Sequence, residues 1–359
     1  MDNDQKITLA EIAEKTGVTR AAVSLALRGK NGVSDATRIA ILDVAQSLGY
    51  RPDPEVSNLM ARIRAKTPQT TKACLALLTS GITTEGSKRS ITERKYVEGI
   101  VNRSNERGYK VEEFSIFGEK DAARLGTILW SRGIEGIIIR PLQYGLIGGE
   151  SHSIDFDFDR FCVVAISETL ESPDLDRSLH EQYTSMLKVL TELASLNYQN
   201  VGLVLEEELN VRVNGKWTAA YLQHQYRAGG KPLPPPLIMS SPSQLDFDRW
   251  FDQHRPDVIL GVNRFVLRFL KRKGLSIPED VGYASLDLDS EIPEYEGLSG
   301  IDQNSHIVGS AAVDMLVDAM QRARRGIPKH PLRIEITGDW RAGYSTIQQP
   351  GPPSFPRVK

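Results

Sequence analysis

The sequence predicts two parts of different fold class: a small all-α headpiece, then a two-lobed α/β core of doubly wound parallel sheets. Three observations support this prediction. Short helical patterns fill the first 50 residues, each bounded by a capping residue or a glycine. From residue 73 onwards, continuous apolar runs of strand length alternate with helical patterns, as in strands buried on both faces. The length, 359 residues, is enough for two or three ordinary domains.

Composition excludes several classes of protein. Hydrophobic residues make up 40% of the chain and charged residues 25%, which excludes a disordered or fibrous chain. The apolar runs are far shorter than the ~20 residues that cross a bilayer, and the start of the chain is acidic and polar, unlike a secretory signal. Two cysteines, Cys74 and Cys162, lie in apolar runs, where we expect buried thiols rather than a disulfide framework. We therefore expect a cytoplasmic protein that does not contact membranes.

The headpiece contains the spacing of a helix-turn-helix. Ala13, Gly17 and Val23 provide a small residue in the first helix, a glycine in the turn and a branched residue in the second helix. An ordinary three-helix bundle is the alternative for these residues alone. The net charge of -2 gives no global sign of nucleic-acid binding, but the segment Lys15 to Arg38 holds five cations against one acid. The predicted helices run from Leu9 to Thr16, from a cap at Thr19 to Leu27, and from a cap at Ser34 to Gly49.

Composition and rhythm also predict the domain limits. The headpiece covers residues 1–51, and a short fourth helix with a linker covers 52–72, because Asp53 and Pro54 form a helix start. The alternation of strand and helix patterns is interrupted around Glu168–Leu179, which predicts that the chain crosses from one lobe to the other there. We expect a core at 73–347, with lobe one at about 73–167 plus 305–330, lobe two at about 168–304 plus 331–347, and a disordered, proline-rich tail at 348–359. The third headpiece helix is predicted to bury the stripe Ile39, Leu42, Ala45 and Leu48.

Four stretches at the start of the chain follow one known pattern. They are ITLAEIA at 7–13, GVTRAAVS at 17–24, Val33-Ser34 with Thr37-Arg38, and LGYRP at 48–52. In these motifs the chain resembles the LacI/GalR family of bacterial transcription regulators. The resemblance implies a homodimer on a palindromic operator in double-stranded DNA. It also implies that the second helix enters the major groove, and that the helix after the Tyr-x-Pro element is a hinge helix that enters the minor groove.

The resemblance and the helix starts together predict the DNA contacts. Side chains early in the second helix face base edges, hydroxyls at helix starts bind phosphates, and Leu59 matches the leucine that wedges the central base step. Packing within the hinge helix is the alternative role for Leu59. Leu25 and Arg28 depart from the family pattern, which limits base readout at the first and adds a phosphate contact at the second. The predicted contacts are Thr8, Thr19, Arg20, Ala21, Ser24, Leu25, Arg28, Ser34, Thr37, Asn58, Leu59 and Met60.

Residues 74–347 resemble, more weakly, the periplasmic-binding-protein-like core of the same family. The matching features include Gly99 in the first core helix, Arg212 followed by Gly215, and the stretch from Gly274 through Val281 to Asp287. This likeness implies a small-molecule effector between the lobes, at the carboxyl ends of the strands. The implied effector contacts are Ser80, Arg212, Asn263, Asp287 and Gln303.

Amide, carboxylate and guanidinium groups suit the hydroxyls of a sugar, so a neutral sugar or sugar derivative is the first choice of effector. Arg264 stands where relatives carry Asp, and it makes a sugar acid or a phosphorylated ligand the second choice. A structural salt bridge between Arg212 and Asp287 is the alternative to ligand binding. Trp217 and Trp250 either stack on a sugar or belong to the core.

Motifs for catalysis are missing from the sequence. It contains no phosphate-binding loop, no His-Glu-x-x-His and no Gly-x-Ser-x-Gly, and its six histidines lack the spacing of metal ligands. His180 is predicted to begin the first helix of lobe two, in a capping or surface role, and ligand contact is the alternative. We therefore expect a DNA-binding transcription regulator, a repressor in particular, with no enzymatic activity, cofactor or metal. The alternative is a solute-binding protein without a DNA role.

Overall fold

A computed structural model describes residues 9–27, 32–48, 73–79, 91–116, 119–141, 154, 156–228, 233–262, 264–288 and 296–351. Contacts divide the chain into two compact units, residues 1–71 and 72–359. The predicted hinge helix falls outside the described residues. The same holds for the predicted contacts Thr8, Arg28, Asn58, Leu59, Met60, Ser80 and Asn263.

The described part of the headpiece forms three helices, as predicted: α1 (Leu9–Thr16), α2 (Arg20–Leu27) and α3 (Asp35–Ser47). Gly17 ends α1 with φ of +67°, a conformation that favours glycine. The hydroxyl of Thr19 accepts a hydrogen bond from the backbone N–H of Ala22 at 3.2 Å, and that of Ser34 accepts one from Thr37 at 3.3 Å. Both predicted caps are therefore confirmed.

The core of the headpiece differs from the prediction in α3. Ile39 and Leu42 are 60% and 43% exposed, so their assignment to the buried stripe was wrong. Ala45 is buried as predicted, and Ile41, one helical turn before it, is buried in place of Ile39 and Leu42. The apolar residues of α3 form two overlapping stripes, and the stripe that contains Ile41 and Ala45 packs against α1 and α2. The buried residues of this unit are Ile12, Ala13, Val23, Ala26, Ile41 and Ala45.

The first lobe of the core is a sheet of six parallel strands in the order β11-β5-β4-β3-β1-β2. Alternate side chains of the strands enter two apolar clusters, one under α4 and α11 and the other under α5. Its strands are β1 (Cys74–Thr79), β2 (Lys110–Ser115), β3 (Gly136–Ile139), β4 (Cys162–Ile166), β5 (Asp176–His180) and β11 (Arg333–Ile336), and its helices are α4 (Ile91–Glu106), α5 (Glu119–Ser131) and α11 (Ser305–Gln321).

The second lobe repeats this architecture in the order β12-β10-β9-β8-β6-β7, with only β12 antiparallel to its neighbour. Helices α6 and α8 cover one face, and α9 and α10 cover the other. Its strands are β6 (Val201–Glu206), β7 (Leu237–Met239), β8 (Val258–Gly261), β9 (Gly282–Ser285), β10 (Ser299–Asp302) and β12 (Asp339–Arg341), and its helices are α6 (Gln182–Ser195), α7 (Glu207–Arg212), α8 (Lys216–Ala228), α9 (Gln244–His254) and α10 (Arg264–Arg272).

The predicted lobe limits differ from this topology at two places. Residues 168–180 and 331–336 were assigned to lobe two, but β5 and β11 pair in the first sheet. The pattern missed β5 because its buried residues are polar. Asp176 Oδ1 accepts a hydrogen bond from Leu332 N at 2.8 Å, and Ser178 Oγ donates one to Val308 O at 2.9 Å. Hydrogen bonds thus replace the apolar run that usually marks a buried strand.

Three chain crossings therefore connect the lobes: β5 to α6, β10 to α11, and β11 to β12. They lie side by side, since a Cβ on Gly338 of the third crossing would stand 2.8 Å from the ring of His180 in the first. The N–H of Glu181 also donates to Ile336 O at 2.9 Å. The joint between the lobes is consequently well packed.

The start of the tail also corrects a prediction. Residues 348–351, expected to be disordered, contact the second lobe, where Asn197 Nδ2 donates to Gln349 O at 3.0 Å and Gln349 N donates to Leu196 O at 2.8 Å. Cys162 is buried as expected, whereas Cys74 is half-buried. Among the described helices, none combines the length and apolar character that crossing a membrane requires.

Candidate functional site

The headpiece presents one face of α2 to its surroundings. Val23 and Ala26 point into the core, so the opposite side of the helix carries the predicted base contacts. Arg20 and Ala21 are exposed, whereas Ser24 and Leu25 are half-buried. Of the predicted phosphate contacts, Thr19, Ser34 and Thr37 lie at helix starts, and Ser34 Oγ and Thr37 Oγ1 are 2.7 Å apart. The structure thus brings the base-contact candidates onto one helix face.

Leu25 also has a packing role in the headpiece. Its Cδ1 lies 3.3 Å from the position that a Cβ of Gly32 would take, and Gly32 has φ of +119°. The leucine therefore packs on the loop before α3. This contact gives a structural reason for an apolar residue at a position predicted to read bases weakly.

A cavity of about 490 Å³ lies between the two sheets of the core, a size typical of small-molecule sites. Strand ends supply its walls: Pro141 and Ser167 follow β3 and β4, while Val262 and Asp287 follow β8 and β9. It brings together the predicted contacts Arg212, Asp287 and Gln303.

Asp287 and Gln303 are held by neighbouring groups. The hydroxyl of Thr92, in the first lobe, donates to Asp287 Oδ2 at 3.3 Å, so this hydrogen bond spans the two lobes. Gln303 is buried, and its Nε2 donates to Leu286 O at 3.0 Å. Both side chains are therefore oriented before any ligand binds.

Arg212 lines the same cavity without an ion pair to any residue in the described part of the chain. The alternative of a structural salt bridge between Arg212 and Asp287 is thus not realised among the described residues. A guanidinium in this state retains its donors for a ligand.

Several residues that line the cavity were not predicted as ligand contacts from the sequence. Gln182 has a buried amide oxygen that forms no hydrogen bond with the described residues. Tyr96 lines the wall beside Asp287, and burial, followed by the charge of that carboxylate, raises the pKa of its phenol, which therefore remains a hydrogen-bond donor. Arg268 lies one turn after Arg264 on α10 and lines the cavity as well. Its helical spacing from Arg264 is the one feature of the sequence that could have predicted this position.

Glu93, which lines the cavity, belongs to a buried ion pair. Arg140 approaches Glu93 at 3.4 Å, with side chains only 5% and 9% exposed, and Glu113 at 3.9 Å. The charge of Glu93 is thus matched within the protein.

The two candidate stacking residues have different positions. Trp217 is 4% exposed, belongs to the second-lobe core and lines the cavity. Trp250 does not line it, since its Nε1 donates to Pro235 O at 2.8 Å within the core. Only Trp217 is therefore placed to contact a ligand.

His180 differs from its predicted place at a helix start, because it is the last residue of β5 and is 3% exposed. Burial lowers the pKa of its imidazole to about 4, so the ring is neutral near pH 7. Among the described residues, no group of three or more His, Cys, Asp or Glu side chains is arranged to hold a metal ion.

Comparisons with known proteins agree with both parts of the molecule. Residues 8–53 match the model of the bacterial regulatory proteins of the lacI family, and residues 190–343 match a periplasmic binding protein-like domain. The HTH-type transcriptional regulator PtxS of Pseudomonas plecoglossicida is 22% identical, over 92% of this chain and 94% of that protein. The sucrose operon repressor of Shigella flexneri is 25% identical, over 54% and 53% of the two chains.

Solved structures share the fold. A complex of the transcriptional regulator CelR with cellobiose has a TM-score of 0.55 and 16% identity, covering 94% of this chain and 99% of that one. The lac repressor dimer, bound to operator and an anti-inducer, has a TM-score of 0.55 and 16% identity, covering 96% and 100%. With its lacI-type helix-turn-helix and its periplasmic binding protein-like core, the chain belongs to the lacI family of DNA-binding transcription regulators.

Proposed function

We propose that this regulator is a cytoplasmic repressor whose operator binding is modulated by a sugar or sugar derivative in the cavity between the lobes. The observation that carries this proposal is the convergence of Arg212, Asp287 and Gln303 on one cavity of about 490 Å³. Their donors and acceptors suit a polyhydroxy ligand. The cellobiose complex of CelR and the name of the sucrose operon repressor support a carbohydrate effector.

The DNA side of the proposal rests on the exposed face of α2. Arg20, Ala21, Ser24 and Leu25 contact base edges, and Thr19, Ser34 and Thr37 contact phosphates. Residues 52–72 act as hinge and linker after a headpiece at 1–51, and two subunits occupy a palindromic operator. Outside the described residues, Thr8 and Arg28 contact phosphates, while Asn58, Leu59 and Met60 contact the minor groove.

The proposed coupling follows from the composition of the cavity wall. Thr92 and Tyr96 come from the first lobe, and Arg212 and Asp287 from the second. Ser80 and Asn263, outside the described residues, complete the proposed contact set. A ligand that joins both walls favours one angle between the lobes, and this angle biases the ordering of the hinge helices on DNA.

Selection of binding sites from random duplex DNA, with the full-length protein at one stated salt concentration, tests the DNA role. An enriched palindrome with a flexible central step is expected. Leu59→Ala should then weaken operator binding strongly and leave ligand affinity unchanged. Equal operator affinity would assign Leu59 to hinge packing alone. Enrichment of no sequence would favour the alternative, a solute-binding protein without a DNA role.

The effector role is tested on the selected operator. Asp287→Ala should abolish the response of operator binding to the ligand, because the variant loses the acceptor held by Thr92. Asp246→Ala is the matched control, since Asp246 is exposed on α9 of the same lobe and does not line the cavity. An intact response in Asp287→Ala would place the effector site elsewhere.

A further inference from the structure

The first sheet of the core ends in an exposed edge strand, β11. Three of its residues are exposed, Arg333, Ile334 and Glu335. Among the strands that the structure describes, it has a neighbour on one side only, β5. Such an edge offers unpaired backbone groups to other strands, and charged side chains commonly protect it. β11 carries two charges, but they have opposite signs.

The hydrogen bonds to β5 show which backbone groups of β11 point outward. Leu332 O and Ile336 O each accept a hydrogen bond at 2.9 Å from an N–H group in β5 or directly after it. Along a strand, alternate residues direct their backbone groups to the same side. The N–H and C=O groups of Ile334 therefore also face β5, and those of Arg333 and Glu335 face outward, away from the sheet.

These features make the edge self-complementary. When a second copy of β11 lies antiparallel, with Ile334 opposite Ile334, Arg333 of each chain lies opposite Glu335 of the other. The outward backbone groups then form two hydrogen-bonded pairs, and opposite charges meet at both. The ion pairs of these side chains within the chain are 3.4–3.7 Å long and leave them 45% and 37% exposed, so both remain within reach of a partner strand.

We infer that β11 pairs antiparallel with β11 of a second copy of this chain, about a two-fold axis at Ile334. The two six-stranded sheets become continuous across this axis. Ile334, which is 39% exposed, meets its counterpart on the face where Ile336 packs with α11. A second copy is the partner that the strand itself specifies, because each outward group of β11 has its counterpart in β11.

This contact differs from the pairing of two subunits on one operator. β1 runs parallel to β11 in the same sheet, and the chain enters the core directly before β1. Across an antiparallel pair, the chain thus enters the two cores at opposite ends of the joined sheet. This arrangement does not suit the adjacent half-sites of a palindrome. The β11 contact consequently joins two operator-binding homodimers into a tetramer, a consequence that rests on the proposed function.

Cysteine substitutions test the register in the full-length protein. Residues that face each other in an antiparallel pair without sharing hydrogen bonds have Cα atoms about 4.5 Å apart, a distance that a disulfide can bridge. Ile334→Cys should therefore give covalently linked pairs of chains under mild oxidation. Leu332→Cys is the matched control, because Leu332 is exposed on the same face but would lie about 14 Å from its counterpart.

The wild-type chain, with Cys74 and Cys162, gives the background of this experiment. Equal cross-linking of the two variants, or none above background in Ile334→Cys, would overturn the inference.

Charge reversal tests the pairing without a covalent bond. In sedimentation of the full-length protein, tetramers should form from dimers as the concentration rises. Arg333→Glu should raise the Kd of this step about 10-fold or more, because it places like charges opposite each other at two symmetric positions. Adding Glu335→Arg should bring the Kd back towards the wild-type value.

Arg341→Glu is the control for this reversal, since Arg341 is an exposed cation on β12, the edge strand of the other sheet. An equal rise of the Kd in Arg333→Glu and Arg341→Glu, or no rise in the first, would refute the pairing.

Two outcomes separate this inference from the proposed function. If the chains that Ile334→Cys links sediment only as dimers, the β11 pairing stands and the operator-binding homodimer is wrong. If the protein dimerises and binds a palindrome, but Ile334→Cys forms no link, the proposed homodimer stands and the inference is wrong.

Discussion

Gly99→Ala should destabilise the core by forcing α4 and α11 apart. A Cβ on Gly99 would lie 2.8 Å from the carbonyl carbon of His306 and 3.0 Å from its Cα, with the carbonyl oxygen closer still. A Cβ on Gly309 of α11 would meet α4 in the same way, 3.1 Å from the N of Ile100. Backbone atoms cannot rotate away as a side chain does, so the two helices themselves have to move.

The size of the effect follows from these distances. Carbon atoms make ordinary contact at about 3.5 Å, so the backbones must separate by roughly 0.7 Å or more. Overpacking of this kind costs about 1–3 kcal/mol, and the better helix propensity of alanine returns about 1 kcal/mol. Because the obstacle is backbone, we expect the upper part of this range, a net loss of about 2 kcal/mol. In a domain of this size the melting temperature falls by about 4 °C.

Gly126→Ala is the matched control. Gly126 also lies inside a helix, but among the described residues a Cβ there would meet nothing nearer than the ring of Phe156, at 3.5 Å. The same substitution should therefore stabilise the protein by about 0.5–1 kcal/mol.

Urea unfolding followed by tryptophan fluorescence provides the assay. The four tryptophans lie at 130, 217, 250 and 340, all in the core unit, so the headpiece does not contribute to the signal. The effect should also reach the cavity, since α4 carries Thr92 and Tyr96. Equal stability of Gly99→Ala and Gly126→Ala would refute the packing argument.

Three further predictions concern buried or bridging charges. The pKa of His180, lowered to about 4, lies below its value of about 6.5 in the unfolded chain, so the unfolding free energy should fall by up to about 3 kcal/mol between pH 6.5 and 4. A His180→Gln variant with the same pH slope in urea titrations would contradict this. Lys216→Met removes an ammonium 2.7 Å from the nearly buried Glu168 of the other lobe, and should lower the urea-derived unfolding free energy by about 1–2 kcal/mol. Lys216→Arg should retain most of this stabilisation. No loss of stability in the Met variant would exclude a stabilising ion pair between the lobes. Arg140→Leu should lower the unfolding free energy by about 3–5 kcal/mol in the same assay, because it leaves the buried Glu93 without its ion-pair partner. Adding Glu93→Leu should recover most of this loss. A double variant no more stable than the single one would show that the ion pair is not the cause.

How far the sequence predicts the fold depends on how each element is buried. Continuous apolar residues predict β1 correctly, because its side chains are buried in apolar clusters on both faces. The same reasoning fails for β5, where Asp176 and Ser178 are buried through hydrogen bonds to distant residues. Such partners are up to 156 positions away, and no local pattern reveals them.

The cavity shows a similar division. Arg212, Asp287 and Gln303 were predicted from family-like motifs and do line it. Gln182 and Tyr96 belong to ordinary helical patterns, and only the packing of α4 and α6 at the strand ends brings them there.

The path of the chain through the two lobes has a consequence for its synthesis. β11 and β12, which lie within residues 333–341, complete the edges of the first and second sheets respectively. During translation, neither sheet can therefore be finished until residues 333–341 have left the ribosome. The headpiece, whose last helix ends at Ser47, is able to fold long before that. A nascent chain thus displays its DNA-binding helices before the core that controls them exists, and truncation near residue 330 would leave both lobes incomplete.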